Sequence, residues 1–224
     1  GKSLIMTSLD GYLISLDPSN GSEIWRLKLR KPVGKRGLIF NKGNIFTPTS
    51  QGIVVVRENT GKINETFGEK GFIGKYGERF DTLVPPIIND NNIFVAHRTK
   101  IESYSLPDGK SKWKLDLNGS RVWSGISFDS TTNTILAVTS NLVNLIGKTD
   151  IKNDFSNSFL LIDGKNGDVR CKFKDTLHDH WDLDMTGNPI VTNVKLKNGK
   201  TATVAYAFSK TGNTFVVNIK ECKL

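Results

Sequence analysis

Residues 177 to 186 read Leu-His-Asp-His-Trp-Asp-Leu-Asp-Met-Thr, and Lys210-Thr211-Gly212-Asn213 follows, its lysine 28 positions after Asp182. A carboxylate such as Asp182 can act as a base if it is held within hydrogen-bond reach of the proton it removes. An ammonium such as Lys210 stabilises a carbonyl that gains charge as electrons arrive. Each also has a plainer role. Aspartates in turns between strands commonly bond the backbone, and a lysine before Thr-Gly is often a solvated turn residue. His178 and His180 stand at i and i+2, but no third ligand has zinc-type spacing. His178 therefore reads as an orienting or structural histidine and His180 as exposed. Asp179 and Asp184 read as turn residues and supports behind the site.

These loops need a rigid carrier, and an internal repeat describes it. Leu16-Asp17-Pro18-Ser19-Asn20-Gly21 is followed four residues later by Trp25, and Ile162-Asp163-Gly164-Lys165-Asn166-Gly167 is followed at the same distance by Cys171. Looser copies are Arg57-Glu58-Asn59-Thr60-Gly61 and Leu106-Pro107-Asp108-Gly109, the latter again reaching Trp113. The glycines lie 40, 48 and 58 residues apart, a propeller-blade period with growing insertions. Each turn follows an apolar stretch read as alternating: Tyr12 to Leu16, Ile53 to Val56, Ile101 to Leu106 and Phe159 to Ile162. Upstream hairpins surround residues 41 to 44, 89 to 92, 129 to 133 and the Asn198-Gly199 turn, a strong hairpin signal. No helical period lasts beyond one turn.

The pattern predicts an all-β β-propeller of about four to five four-stranded antiparallel blades, roughly 1–30, 38–68, 84–117, 123–175 and 187–224, within one partial propeller domain. The strands count three, four, four, four and three. Three at each end overfill one closing blade, so the expectation is a part of a larger ring, completed by another chain or a missing segment, because open edges invite pairing. Trp25 and Trp113 recur with the repeat and read as packing residues between blades. Trp123 lies outside that register, which leaves a ligand platform and a core role equally open.

Composition narrows the class. The chain has 224 residues, 37% hydrophobic and 24% charged, enough for a sizeable core and against bulk disorder. Its formal net charge of +9 is dispersed, with the densest run from Arg26 to Arg36, and no base-stacking motif accompanies it. Nucleic acid is therefore not an expected partner. No apolar run is long enough to span a bilayer, and no leader opens the chain, so any export signal is expected to have been removed or to lie outside it. Cys171 and Cys222 have no metal-type spacing, and Cys171 reads as a small core residue on a strand.

Read in order, these motifs resemble the quinoprotein dehydrogenases, which bind pyrroloquinoline quinone (PQQ). The Asp-x-x-Asn/Thr-Gly-x-x-x-Trp turn is similar to that family's tryptophan-docking repeat. Asn59 to Ile73, with its Phe67-Gly68-x-x-Gly71, resembles a family blade. Trp123 with Phe128-Asp129 and Thr139-Ser140-Asn141 resembles another segment. His178-Asp179-x-Trp181-Asp182 and Lys210-Thr211-Gly212-Asn213 look nearest to membrane-type glucose and alcohol dehydrogenases. The resemblance covers Ser3 to about Asn218.

The resemblance implies an eight-bladed ring and a dehydrogenase oxidising an alcohol or aldose by hydride transfer to the quinone. It implies Asp182 as base, Asp182 and Asn141 as calcium ligands, Trp123 as the stacking platform and Lys210 as the cation on a quinone carbonyl. It also implies a periplasmic location and an electron acceptor, a quinone or a cytochrome c. The chain departs from the family in the blade before Trp123, where Glu102 is the only acid near the place of a further calcium carboxylate. The methanol-type vicinal cysteine pair is absent, residues 141 to 157 are short and polar, and about half of an eight-bladed ring is missing. These departures motivate the alternative of a non-catalytic propeller that scaffolds protein partners.

Overall fold

The computed structural model describes residues 2–29, 33–34, 36–50, 52–74, 84–97, 99–106, 108–142, 154–177 and 179–224. Eighteen strands and no helix occur among these described residues. β1 (Leu4–Thr7), β2 (Tyr12–Leu16) and β3 (Glu23–Lys28) make the first sheet. β4 (Ile39–Asn41), β5 (Asn44–Thr49), β6 (Gly52–Arg57) and β7 (Phe72–Ile73) make the second, and β8 (Ile87–Asn89), β9 (Asn92–His97), β10 (Lys100–Ser105) and β11 (Ser111–Asp116) the third. The fourth is β12 (Ile126–Asp129), β13 (Thr134–Val138), β14 (Ser158–Asp163) and β15 (Val169–Lys174). β16 (Met185–Lys195), β17 (Thr201–Ser209) and β18 (Thr214–Asn218) close the chain. In every sheet neighbouring strands are consecutive in sequence, so the strand count expected above is the one observed.

By its internal contacts the chain divides into two compact units, Gly1–Val95 with Tyr104–Ser111, and Ala96–Ser103 with Lys112–Leu224. The first has cores around Phe46, Ile53, Val55 and Tyr104 and around Leu13, Ile45 and Val54. The second is centred on Leu136, Val138, Phe159, Leu161 and Met185, with Ala205 and Val217. β5, β6, β13 and β14 are buried along nearly their whole length rather than on alternate residues. Ile53 to Val56, Phe159 to Ile162 and, in β10, Ile101 to Tyr104 thus depart from the alternation expected of them. A strand covered on both faces reads as a continuous apolar run. The outer strands β3 and β11 do alternate, each turning its tryptophan to the less exposed face.

The repeat has a physical basis in how one sheet meets the next turn. Trp25 Nε1 donates to the Glu58 carbonyl at 2.8 Å, and Trp113 Nε1 donates to the Gly164 carbonyl at 3.1 Å. A Cβ built on Gly61 would lie 2.5 Å from the Trp25 ring, and one on Gly167 2.6 Å from Trp113. Each indole therefore lies flat on a glycine that has to be glycine, as expected for packing residues. In the turn at Gly109 the corresponding neighbours are Gly68 Cα at 3.0 Å and Ile73 at 3.4 Å.

The final junction is built differently. Asn218 to Cys222 repeats the turn geometry: Cys222 N donates to the Asn218 carbonyl at 2.9 Å, as Gly167 N does to Asp163 at 2.9 Å and Gly21 N to Asp17 at 2.8 Å. Cys222 stands in the glycine place with φ +54°. Cys171 stands in the tryptophan place, and the two form a disulfide with Cα atoms 5.9 Å apart. Cys171 is therefore one half of a covalent link, not the small core side chain expected. A sulfur–sulfur bond occupies the position where elsewhere an indole rests on a glycine.

These contacts yield a quantitative expectation. Gly167→Ala combines a left-handed backbone (φ +81°) with a clash against Trp113. Its cost should be about 1–2 kcal/mol for the backbone and a further ~1–3 kcal/mol for overpacking. Gly21→Ala has the same kind of backbone (φ +75°) but nothing within 4 Å, so only the smaller cost applies. Urea unfolding of the two variants measures the difference, which is the contribution of the dock.

Candidate functional site

Trp123, Asn141, Asp182 and Lys210 all lie in the second unit, on four loops. The segment 121–125 precedes β12, 139–142 follows β13, 175–184 joins β15 to β16, and 209–213 joins β17 to β18. The first two are tied together by backbone: Ser140 N donates to the Arg121 carbonyl at 2.8 Å, and Arg121 N to Ser140 Oγ at 3.2 Å. Asp179 Oδ1 accepts from Trp181 N at 2.9 Å and Oδ2 from Asn157 Nδ2 at 3.0 Å, folding the loop that carries Asp182. This is the turn role expected of Asp179. Asp182 itself has φ +60°, a left-handed conformation that aspartate tolerates better than most residues. Lys210 N donates to the Asp184 carbonyl at 3.1 Å, which brings the two strand-end loops side by side.

The side chains converge on one ammonium. Lys210 Nζ lies 2.8 Å from the Asp182 carbonyl, 3.2 Å from Asp182 Oδ2 and 3.3 Å from Asp184 Oδ2. It also stands 5.5 Å from the centre of the Trp123 ring, within cation–π range. Asn141 N donates to Asp184 Oδ1 at 2.6 Å. Trp123, Asp182 and Asp184 thus meet at the Lys210 ammonium, and Asn141 joins them through its backbone N–H to Asp184. Trp123 is half-buried with one face toward the lysine.

The two acids differ in environment. The Asp182 side chain is 72% exposed and that of Asp184 9%. Burial holds the Asp184 carboxyl above the ordinary range, opposed by the Asn141 N–H and the Lys210 charge. Burial alone would lower the Lys210 pKa, but its hydrogen bond to Asp182 and the charge of Asp184 more than offset this and raise it. Asp184, expected only as a support, is the acid on which the cluster is assembled. Its position two residues beyond Asp182 gave no means of ranking the pair.

A group whose folded pKa is raised favours the folded state most below its unfolded value and gives that up as pH rises through the folded value. Asp184 should therefore titrate above its ordinary value of 3.8, and Lys210→Met should move it further upward by removing the opposing charge. Carboxyl-carbon NMR across acid pH measures both; an Asp184 midpoint unmoved by Lys210→Met would show that the ammonium does not act on it.

Oxygen donors from Asp182, Asp184 and Asn141 suit a hard cation such as calcium, whereas an indole face suits a planar ring. Among the described residues no three His, Cys, Asp or Glu side chains cluster as a metal site. Glu102 is engaged elsewhere: its Oε2 lies 2.9 Å from His97 Nε2, both side chains being nearly buried. His180 is exposed, as expected. His178 and residues 143–153 of the short polar segment 141–157 lie outside the described residues.

With the site in place, comparison defines the class. The chain superposes on the quinohemoprotein alcohol dehydrogenase of Comamonas testosteroni with a TM-score of 0.80 at 18% identity, over 97% of this chain and 40% of that one. It superposes on BamB of Moraxella catarrhalis with a TM-score of 0.69 at 15% identity, over 100% of this chain and 60% of the other. The fold is a β-propeller, as the repeat predicted. Residues 93–222, more than half of the chain, match the PQQ family described as "Glucose/ethanol/alcohol dehydrogenase, beta-propeller domain". The chain belongs to that family. It is 24% identical over 213 residues to quinoprotein glucose dehydrogenase A of Acinetobacter calcoaceticus, covering 78% of this chain and 27% of that protein. It is 22% identical over 285 residues to quinoprotein glucose dehydrogenase of Escherichia coli (strain K12), covering 100% of this chain and 36% of that protein. The chain therefore spans between a quarter and two fifths of the length of these relatives.

Proposed function

We propose that this chain carries the site of a PQQ-dependent dehydrogenase that oxidises an alcohol or an aldose, with Asp182 as the base. The observation that carries this reading is the single ammonium of Lys210, shared by Asp182 and Asp184 over the face of Trp123. Bound PQQ and calcium supply the electron sink and the Lewis acid for hydride removal from a carbinol carbon. Trp123 would hold the planar ring, and Asp182 and Asn141 would hold the cation. Lys210 would donate to a quinone oxygen. Asp182 is exposed enough to reach a substrate hydroxyl, and Lys210 beside it holds the carboxylate in place. Asp184 stays buried, fixing Asn141 through its backbone N–H and Lys210 through its charge. Electrons would leave to a quinone or a cytochrome c. The Cys171–Cys222 disulfide supports export to an oxidising compartment such as the periplasm.

The test is spectroscopic and kinetic. PQQ with calcium should quench a part of the tryptophan emission that is missing in Trp123→Phe. The reconstituted protein should reduce an artificial acceptor when given alcohols or aldoses. Identical quenching in the wild type and Trp123→Phe would remove the platform, and a protein scaffold would then be the better reading.

A further inference from the structure

Lys210 is placed by a turn that is itself gripped from outside. Asp175, the residue after β15, accepts from Ser209 Oγ at 2.6 Å, Asn213 Nδ2 at 2.7 Å and Thr211 Oγ1 at 3.0 Å. Thr176 Oγ1 adds a fourth donor at 3.1 Å, and Asp175 N is fixed by the Asn157 carbonyl at 2.8 Å. Ser209, Thr211 and Asn213 flank Lys210 on both sides, so one carboxylate closes the turn around it. Asn213 Nδ2 can only donate and the three hydroxyls donate here, so an acceptor-only carboxylate serves all four. Burial would raise the Asp175 pKa, but the donors of Asn213, Ser209 and Thr211 outweigh it and hold the group below the ordinary range. It therefore remains an acceptor across neutral pH.

We infer that Asp175 is a positioning residue: its carboxylate clamps the Ser209–Asn213 turn so that the Lys210 ammonium is held over Trp123 and between Asp182 and Asp184. The inference deepens the reading proposed above, in which Lys210 meets the quinone. The clamp itself is a property of the chain with no ligand bound. An isosteric Asp175→Asn substitution keeps the shape but removes the charge and one of the two acceptor oxygens, so the Ser209, Thr211 and Asn213 donors can no longer all be served by charge-assisted bonds. The turn should then open and the lysine leave the indole.

The first readout is the Trp123 indole resonance in ligand-free protein, assigned by its loss in Trp123→Phe. Asp175→Asn should move that resonance toward the position it takes in Lys210→Met, and the double variant should move it no farther. Asn213→Ala, which removes one donor, should produce a smaller shift in the same direction and serves if Asp175→Asn does not fold. Asp175→Glu, which restores the carboxylate, should return part of the shift. In the reconstituted enzyme the loss of placement should lower kcat on the order of 10²-fold, the scale of a misplaced catalytic group. A folded Asp175→Asn protein with reduced stability and an unmoved Trp123 resonance would make Asp175 a merely structural residue and overturn the clamp. A shifted resonance in a protein that takes up no PQQ would uphold the clamp while removing the quinone reading.

Discussion

Replacing Asp182 by asparagine is expected to lower kcat of the PQQ-loaded protein by roughly 10²–10⁴-fold, the range that a positioned base contributes. Asparagine is the informative choice. It shares aspartate's tolerance of the left-handed backbone at φ +60°, and it keeps an oxygen for the Lys210 ammonium. The fold should therefore survive, and circular dichroism and melting temperature should change little, because the side chain is 72% exposed. Affinity for PQQ should fall far less than turnover, since Trp123 and Lys210 are untouched. The ratio of the two effects decides the role: if turnover and PQQ affinity fall together, Asp182 serves to hold the cofactor and calcium. If neither changes, it is only the turn residue that its position also allows. Asp184→Asn provides the contrast. That acid anchors Asn141 and Lys210 from a buried position, so its loss should weaken cofactor binding as well as turnover.

The sequence was most informative where a local rule repeats. Turn residues at fixed offsets from a tryptophan are enough to count the strands and to assign Trp25 and Trp113 to packing, because the same hydrogen bond and the same glycine contact occur at both tryptophan docks. The association of Trp123, Asn141, Asp182 and Lys210 was legible only through family likeness; nothing in their spacing places four loops at one point. Three features were not read. The continuous burial of β6, β10 and β14 is not legible in the sequence, since a run such as Ile53 to Val56 carries no mark of what covers its second face. Asp175 and Asp184 look like ordinary loop aspartates until their donors are seen. The disulfide, by contrast, has a signal in the sequence. Asn218-x-x-x-Cys222 keeps the spacing of Asp163-x-x-x-Gly167, and Cys171 falls in the tryptophan register, so the two cysteines occupy the two halves of one dock.

That equivalence makes the other large effect calculable. The disulfide closes a loop of 51 residues, for which the chain-entropy estimate is about 4 kcal/mol. Cys171→Ser with Cys222→Ser should lower the melting temperature by about 8–16 °C, at roughly 2–4 °C per kcal/mol for a chain of this size, and dithiothreitol should act on the wild type in the same way. The repeat also prescribes a repair. Cys171→Trp with Cys222→Gly restores the residue pair found at Trp25–Gly61 and Trp113–Gly167. Ile219 then stands in the place of Glu58 and Gly164, whose carbonyls accept the indole N–H in the other two docks. Glycine also relieves the left-handed backbone that Cys222 holds at φ +54°. The repaired protein should recover a large part of the lost stability and melt at the same temperature with and without reductant. The half-repair Cys171→Trp alone should be worse than the serine pair, because the Cys222 side chain blocks the surface on which the ring has to lie. Equal melting of the serine pair and the wild type, or a repaired protein no better than the serine pair, would mean that the two kinds of junction are not interchangeable.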